Sequence, residues 1–141
     1  TNGTLFSLIE ALRYFPFSLQ VALPPLEDRP TLETYARHCG VKVDFVDTPQ
    51  QAVEGCNFVY AGCRSGLDDE LAQQWKVDDA LLSHADQKAR VLLGTSPMQA
   101  IEVASDILAS PASLLLLQSE NRLRVHKRLL HWVFLENERV I

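Results

Sequence analysis

The sequence lacks the features that mark several common classes of protein. Lys and Arg number 13 against 18 Asp and Glu, giving a net charge of −5. This acidic balance argues against nucleic acid or an anionic membrane as a partner. No apolar run reaches the roughly 18 residues of a membrane-spanning helix, and the first residues do not resemble a signal peptide. We therefore predict a cytoplasmic protein that binds neither nucleic acid nor membrane.

Cysteine and phosphate-binding motifs are also scarce. The three cysteines, Cys39, Cys56 and Cys63, are too far apart for a Cys-x-x-Cys metal or redox pair, and their odd number favours free thiols in a reducing compartment. The sequence has neither a Gly-x-Gly-x-x-Gly turn nor a P-loop, which excludes the usual nucleotide-binding motifs. The four histidines fall on predicted helices, where surface or core roles are expected. The sequence therefore predicts no metal and no cofactor.

Helix and strand signals alternate along the chain. Five short apolar segments favour strands: Leu19–Leu23, Val41–Val46, Phe58–Ala61, Arg90–Leu93 and Leu114–Leu117. Capping residues and helical spacing mark helices before and between them, including Thr31–Cys39, Asp68–Trp75, Asp78–Ala85 and Met98–Ala109. This order predicts one α/β domain over residues 1–141, a Rossmann-like, doubly wound three-layer sandwich with a mostly parallel sheet.

The last predicted helix, Leu123–Phe134, follows the fifth predicted strand. Its apolar residues Val125, Leu129, Leu130 and Val133 recur at helical spacing. We therefore expect these four side chains to face the core.

A ligand site is expected at the carboxyl ends of the strands, where loops of an open parallel sheet meet helix N-termini. Four segments lie there: Asn2-Gly3-Thr4, Gly62–Gly66, Gly94–Pro97 and Gln118–Arg122. Each can direct backbone N–H groups at an anion. Arg64 and Arg122 are the strong cations in these segments, and a guanidinium suits a carboxylate or phosphate. Two alternatives stay open: Gly94–Pro97 as a capped turn, and Arg122 as a surface cation in the first turn of a helix.

The end of the sequence resembles that of ornithine carbamoyltransferases. There a strand leads into Gln-Ala-Glu-Asn-Arg-Leu and then a helix, and this chain has Gln118-Ser-Glu-Asn-Arg-Leu123. Asn2-Gly-Thr-Leu-Phe-Ser-Leu8 is similar to the Asn-Asn-x-x-x-Ser-Leu start of the family's second domain. Thr48–Tyr60 is similar to its Asp-Pro-x-x-Ala-Val-x-Gly-Ala-Asp-Val-Val-Tyr stretch. The resemblance covers nearly all of this chain and the second half of a family member.

The resemblance implies a carbamoyltransferase of arginine metabolism, which transfers the carbamoyl group of carbamoyl phosphate to an amino acid amine, with ornithine favoured. It implies an Asp/Orn-binding domain that lacks its first strand and the carbamoyl-phosphate domain. The expected partners are copies of itself in a trimer, or a chain that carries the missing domain. Arg122 would contact carbamoyl phosphate. The other implied substrate-binding residues are Asn2, Gly3, Ser65, Gly94, Thr95 and Ser96.

Two departures from the family concern the substrate loops. The family's His-Cys-Leu-Pro loop is Gly94-Thr-Ser-Pro97 here, which keeps the proline and gains two hydroxyls. Its Asp-x-Trp-x-Ser-Met-Gly segment corresponds to Gly62-Cys-Arg-Ser-Gly66, so the Asp that holds the amine is missing and Arg64 takes the Trp position. Two hypotheses follow: half of a working carbamoyltransferase, or a catalytically degenerate paralogue with a structural or regulatory role. Alone, the chain is expected to be inactive.

Overall fold

The structure is a computed structural model, and it describes residues 3–25, 27–62, 67–94 and 102–136. The strands are β1 (Gln20–Ala22), β2 (Asp44–Val46), β3 (Phe58–Ala61) and β4 (Arg90–Leu93). The helices are α1 (Gly3–Ala11), α2 (Arg29–Cys39), α3 (Pro49–Val53), α4 (Asp69–Gln74), α5 (Asp79–Leu82), α6 (Ser105–Ala109) and α7 (Leu115–His131), followed by a π-helical turn (Trp132–Glu136).

The four strands form two parallel pairs. β1 pairs with β2, with Val21 opposite Phe45, and β3 pairs with β4, with Val59 opposite Val91. Parallel neighbours need a crossover connection, and α2 lies between β1 and β2 while α4 and α5 lie between β3 and β4. The predicted α/β class and its first four strands are confirmed, although β1 and β2 are shorter than predicted.

Polar side chains fix where several helices begin. Ahead of α2, Asp28 Oδ1 accepts the Thr31 N–H at 3.1 Å, and ahead of α3, Thr48 forms a capping box with Gln51. The hydroxyl and the N–H of Thr31 hold the pKa of Asp28 below its ordinary value. The cap therefore contributes to stability above the ordinary carboxyl pKa, and this contribution is lost as the pH falls through the lowered pKa.

Two separate hydrophobic clusters hold the elements together. The larger surrounds β3 and β4, centres on the fully buried Val91, and takes in Leu81 of α5 and Ile107 of α6. The smaller lies between α1 and α2 around the fully buried Ile9, with Phe45 of β2 packed against it. Each strand pair therefore has its own core.

The prediction of a fifth strand at Leu114–Leu117 was wrong. Ser113 forms an isolated parallel bridge with Val91, and the Leu114 N–H donates to the Val91 carbonyl at 2.9 Å. From Leu115 the chain is helical to His131. Leucine is a strong helix former, and a short apolar run in a helix cannot be told from a buried strand by periodicity alone. The helix predicted from Leu123 therefore begins eight residues earlier.

The prediction that four apolar residues of the last helix face the core was wrong for Val125, Leu129 and Leu130, while Val133 in the π-helical turn is half-buried. Val125, Leu129 and Leu130 expose 62%, 52% and 55% of their surface, and no residue of α7 is buried. The periodicity identified the helix correctly, but it cannot say whether the apolar face is covered within this chain. Within the described ranges, none of the helices combines the length and apolarity needed to cross a membrane.

The helix predicted over Met98–Ala109 is shorter in the part that the structure describes. Val103 forms a parallel bridge with Val77, so the backbone is extended there, and helix α6 begins at Ser105. Residues 98–101 lie outside the described part. The Val77 N–H donates to the Glu102 carbonyl, and the Ala104 N–H donates to the Val77 carbonyl. These backbone groups are therefore not available for the hydrogen bonds of a helix.

We expect Val91→Ala to lower the free energy of unfolding by about 2 kcal/mol, because it removes two buried methyl groups and leaves a cavity. Val125→Ala on α7 is the matched control, since the same two methyl groups are exposed there. Its free energy of unfolding should change by less than about 0.5 kcal/mol. Urea unfolding followed by circular dichroism measures both, and equal losses would contradict the observed burial.

Candidate functional site

Gly94 closes the carboxyl end of the β3–β4 pair. Its N–H donates to the Ala61 carbonyl at 2.8 Å, which extends the ladder beyond β4. A Cβ at this position would lie 2.6 Å from the Tyr60 hydroxyl and 3.1 Å from the Ala61 carbonyl oxygen. Tyr60 therefore reaches across Gly94, which places a phenolic hydroxyl where the sequence predicts substrate contacts. We did not select Tyr60 from the sequence, although its place near the carboxyl end of a strand was a usable signal.

The side-chain amide of Gln118 binds the end of β4. The Leu93 N–H donates to Gln118 Oε1 at 2.9 Å, and Gln118 Nε2 donates to the Leu93 carbonyl at 3.1 Å. The amide thus takes the place that a neighbouring strand would occupy, and it satisfies both polar groups of a half-buried backbone position. Gln118 therefore fixes α7 against the strand from which the Gly94–Pro97 segment departs.

Arg122 lies one helical turn beyond Gln118 on the same face of α7. Four residues advance about 6 Å along a helix axis, so the Gln118 contact sets the backbone of Arg122 about one turn from the end of β4. Arg122 is exposed, and its guanidinium forms no ion pair with any carboxylate of the described ranges. Arg124, by contrast, pairs with Glu120 at 3.5 Å. The Arg122 guanidinium is therefore available to an anion.

The prediction that Gln118–Arg122 is a loop was wrong, because the segment lies inside α7. The Gln118 N–H already donates to the Leu114 carbonyl at 2.8 Å. Backbone N–H groups beyond the first turn belong to the helix's own hydrogen bonds. The segment therefore cannot offer them to an anion, and its binding capacity rests on side chains. The alternative of Arg122 as a surface cation is right about its exposure but wrong about its place, because Arg122 lies beyond the first turn of α7.

The remaining predicted residues are only partly described. Gly3 begins α1, and its carbonyl accepts a hydrogen bond from the Ser7 hydroxyl at 3.2 Å. The N–H groups of a first helical turn have no acceptor within the helix and can bind an anion. Four predicted residues lie outside the described part of the chain, so their roles stay predictions: Asn2, Ser65, Thr95 and Ser96.

A cavity of about 260 Å³ lies between β1 and β3. Leu8, Val21, Val53 and Val77 are among the apolar residues that line it. Cys56 lies on its wall, where the thiol donates to the Ala52 carbonyl at 3.2 Å. Burial raises the pKa of the Cys56 thiol, so less thiolate forms at neutral pH and the group is a slow nucleophile. We did not anticipate this cavity from the sequence.

The described residues provide charge and hydrogen bonding at the sheet end. Their groups are the Arg122 guanidinium one helical turn beyond Gln118 and the Tyr60 hydroxyl beside Gly94. Across the described ranges, no cluster of three or more His, Cys, Asp or Glu side chains is placed to hold a metal ion. These groups suit the binding and orientation of an anionic substrate.

The sequence matches one protein family over most of its length. The profile of the Asp/Orn binding domain of aspartate/ornithine carbamoyltransferase matches residues 1–133. The ornithine carbamoyltransferase of Oleidesulfovibrio alaskensis is 33% identical over an alignment of 141 positions, and the alignment covers 94% of this chain and 47% of that protein. That of Nitratidesulfovibrio vulgaris is 31% identical over an alignment of 144 positions, which covers 96% of this chain and 48% of that protein. The chain spans about half the length of these curated relatives.

Solved structures have the same fold. An ornithine carbamoyltransferase from Burkholderia thailandensis, 26% identical, gives a TM-score of 0.74 and covers 92% of this chain and 43% of that one. A mitochondrial ornithine carbamoyltransferase from Coccidioides immitis is 20% identical and gives a TM-score of 0.81. The match covers 98% of this chain and 46% of that one. The fold therefore defines a Rossmann-like domain of the kind found in carbamoyltransferases. The chain belongs to the aspartate/ornithine carbamoyltransferase family and matches its Asp/Orn binding domain, as its resemblance implied.

We expect Gln118→Ala to lower the free energy of unfolding by about 1–3 kcal/mol, because the Leu93 N–H and carbonyl lose their partners in a half-buried place. Gln73→Ala on α4 is the control, because it removes an exposed glutamine from a helix. It should change the free energy of unfolding by less than about 0.5 kcal/mol. Amide hydrogen exchange at Leu93 should accelerate in the first variant alone. Unchanged exchange there would show that the Gln118 amide does not hold β4.

We expect Gly94→Ala to destabilise the protein by about 1–3 kcal/mol, because the new methyl group meets the Tyr60 hydroxyl. Tyr60→Phe removes that hydroxyl, so the double variant should recover part of the loss. A double-mutant cycle measured by thermal unfolding quantifies this coupling. Strict additivity of the two single effects would rule out the close approach of Tyr60 to Gly94.

Proposed function

We propose that this chain is the amino-acid-binding half of an ornithine carbamoyltransferase-like enzyme, completed by a half that binds carbamoyl phosphate. The observation that carries this proposal is the pair of hydrogen bonds between Gln118 and Leu93 at the carboxyl end of β4. One helical turn further along α7 lies Arg122, which has no ion-pair partner among the residues that the structure describes. Ornithine is the proposed acceptor, because the curated relatives above are ornithine carbamoyltransferases.

In the proposed reaction, the side-chain amine of ornithine attacks the carbonyl carbon of carbamoyl phosphate. A C–N bond forms, the bond from this carbon to the phosphate oxygen breaks, phosphate leaves with the electron pair, and the amine loses a proton. Negative charge builds on the carbonyl oxygen and the leaving phosphate, and a guanidinium stabilises such charge with paired N–H donors. Arg122 is the proposed donor. The residues proposed to orient the amino acid are Asn2, Gly3, Ser65, Gly94, Thr95 and Ser96.

The enzyme is further proposed to be a cytoplasmic trimer of arginine metabolism, with the second half in the same polypeptide or in a partner chain. Two observations support the need for such a partner surface. The chain spans about half of its curated relatives, and α7 exposes large apolar side chains along its length. Contiguous apolar surface of this kind is typical of a face that another domain or subunit covers.

The substrate loops favour a second candidate, a catalytically degenerate paralogue with a structural or regulatory role. Gly62-Cys-Arg-Ser-Gly66 carries no acidic residue where the family has its amine-holding Asp, and Gly94-Thr-Ser-Pro97 replaces the His-Cys-Leu-Pro loop. Without the carboxylate, the positively charged amine of ornithine loses a fixed partner. Such a protein would keep the fold and its association surfaces and lose turnover.

The test is citrulline formation from ornithine and carbamoyl phosphate by the complete natural polypeptide that carries this sequence. We expect Arg122→Ala to lower kcat/KM by about 10²–10³, the usual loss for one removed donor to a developing oxyanion. Arg122→Lys should restore little, because an ammonium lacks the paired geometry. Arg124→Ala is the control, since this neighbouring arginine is occupied by Glu120, and its kcat/KM should stay within about two-fold of the parent.

The parent protein's own activity separates the two candidates. No turnover by a folded parent protein, together with no stabilisation by carbamoyl phosphate or ornithine in thermal unfolding, would favour the degenerate paralogue. Turnover that is equally insensitive to Arg122→Ala and Arg124→Ala would remove Arg122 from the site and leave the enzymatic proposal to other residues.

A further inference from the structure

Two glycines follow the last paired residues of β3 and β4. The register of this pair ends with Ala61 opposite Leu93, and the bond from the Gly94 N–H to the Ala61 carbonyl continues the ladder by one residue. The next positions in this register are Gly62 and Gly94, where two of the expected substrate loops begin. Neither glycine contributes a side chain to the sheet end.

The side chain of Tyr60 lies on the same face of the sheet as Gly94. Val59 and Ala61 belong to the core that includes residues of α5 and α6, and successive strand residues point to opposite faces. Tyr60 therefore projects from the other face, beside Leu92, its partner in the register. Its hydroxyl and the ring carbon that bears it lie 2.6 and 3.1 Å from the place of a Cβ at Gly94. The ring therefore extends toward the sheet end.

This position of the hydroxyl requires glycine at residue 94. Non-bonded heavy atoms have their best contact at roughly 3.5 Å or more, and a Cβ at Gly94 would lie only 2.6 Å from the Tyr60 oxygen. Any side chain at this position would displace the hydroxyl or the strand end. The glycine of β4's end thus makes room for the hydroxyl of the neighbouring strand.

The Tyr60 hydroxyl has hydrogen-bonding capacity for a ligand. Among the described residues it has no hydrogen-bond partner, and a phenolic hydroxyl can donate once and also accept. The Ala61 carbonyl oxygen lies 3.1 Å from the same point beside Gly94. The two oxygens are therefore close enough for one ligand nitrogen to bond to both. Two neighbouring acceptors favour a donor such as a primary amine.

The charges at the sheet end also favour an amine at this place. Arg122 provides a cation for an anionic group of the substrate. Among the four segments expected at the sheet end, the one carboxylate is that of Glu120, and it pairs with Arg124 at 3.5 Å. An amine that binds beside Gly94 therefore meets oxygen acceptors that carry no charge.

We propose that Tyr60 orients the acceptor amine, with its hydroxyl oxygen accepting a hydrogen bond from the side-chain amine of the amino acid. This inference rests on the proposed carbamoyl transfer and names a substrate-contacting residue for it. One N–H of the amine points to Tyr60, and the nitrogen lone pair stays free for the carbonyl carbon of carbamoyl phosphate. Only the uncharged amine has this lone pair. A carboxylate would stabilise the charged ammonium form instead, whereas the neutral phenol holds the form that attacks.

The test compares L-ornithine with L-norvaline, which lacks only the side-chain amine. Affinity for each is measured by isothermal titration calorimetry on the complete natural polypeptide, with saturating inorganic phosphate in place of carbamoyl phosphate so that no transfer occurs. Tyr60→Phe removes only the hydroxyl, and Gly94→Ala keeps the hydroxyl but displaces it. Tyr14→Phe is the matched control, because the exposed Tyr14 lies between α1 and the amino end of β1.

We expect Tyr60→Phe to weaken ornithine binding by about ten-fold and to change norvaline affinity by less than about two-fold. Gly94→Ala should weaken ornithine binding to a similar extent, and the double variant should lose no more than either single variant. Tyr14→Phe should leave both affinities unchanged. Where the parent protein turns over, kcat/KM for ornithine should fall by the same factor in Tyr60→Phe.

Three results would overturn the inference. Equal losses of ornithine and norvaline affinity in Tyr60→Phe would show that the hydroxyl supports the fold and not the amine. Unchanged ornithine affinity in a Tyr60→Phe variant that binds norvaline normally would place the amine elsewhere and leave the proposed function intact. Binding of neither ligand by the folded parent protein would overturn the proposed function, and this inference with it.

Discussion

The attachment of α7 to the sheet depends on a few hydrogen bonds at its start, and the side-chain amide of Gln118 makes two of them. No residue of this helix is fully buried, although Leu115 in its first turn packs against the core around β3 and β4. The first turn is also held by the Leu114 bond to Val91 and by the two bonds between Gln118 and Leu93. These bonds relate Arg122 to the carboxyl end of β4. The position of the Arg122 charge in the candidate site therefore depends on the contacts of the neutral Gln118 one helical turn earlier.

Much of the fold could be predicted from local signals. The apolar stretches at Phe58–Ala61 and Arg90–Leu93 are strands, and Thr48-Pro49 begins a helix with a capping box. These features are encoded within a few residues: side-chain volume, a fixed proline φ and a hydroxyl that caps an N–H. The family was predicted from longer motifs, chiefly Gln118-Ser-Glu-Asn-Arg122, and the matched profile over residues 1–133 confirms it.

The failures have a common physical cause. Leu114–Leu117 is apolar enough for a central strand, and it also consists of leucine, one of the best helix formers. The sequence does not show whether its backbone will hydrogen-bond to a neighbouring strand or within a helix. Apolar residues do recur at helical spacing along α7, but their burial depends on whether another domain or subunit packs against them. Tyr60 was missed, and the bonds of Gln118 to β4 were not predicted, because both depend on contacts with residues distant in sequence, Gly94 and Leu93.

The short helix α3 has a mechanical role in this arrangement. Val53 belongs to the core around β3 and β4. At the same helix, the Gln20 amide of β1, oriented to satisfy both acceptors, donates to the carbonyls of Gln51 and Ala52 at 3.0 Å each. Five residues thus tie one strand pair to the core of the other. The spacing of β1 and β3 therefore depends on where α3 lies, and a substitution that shifts this short helix would be felt by both strand pairs.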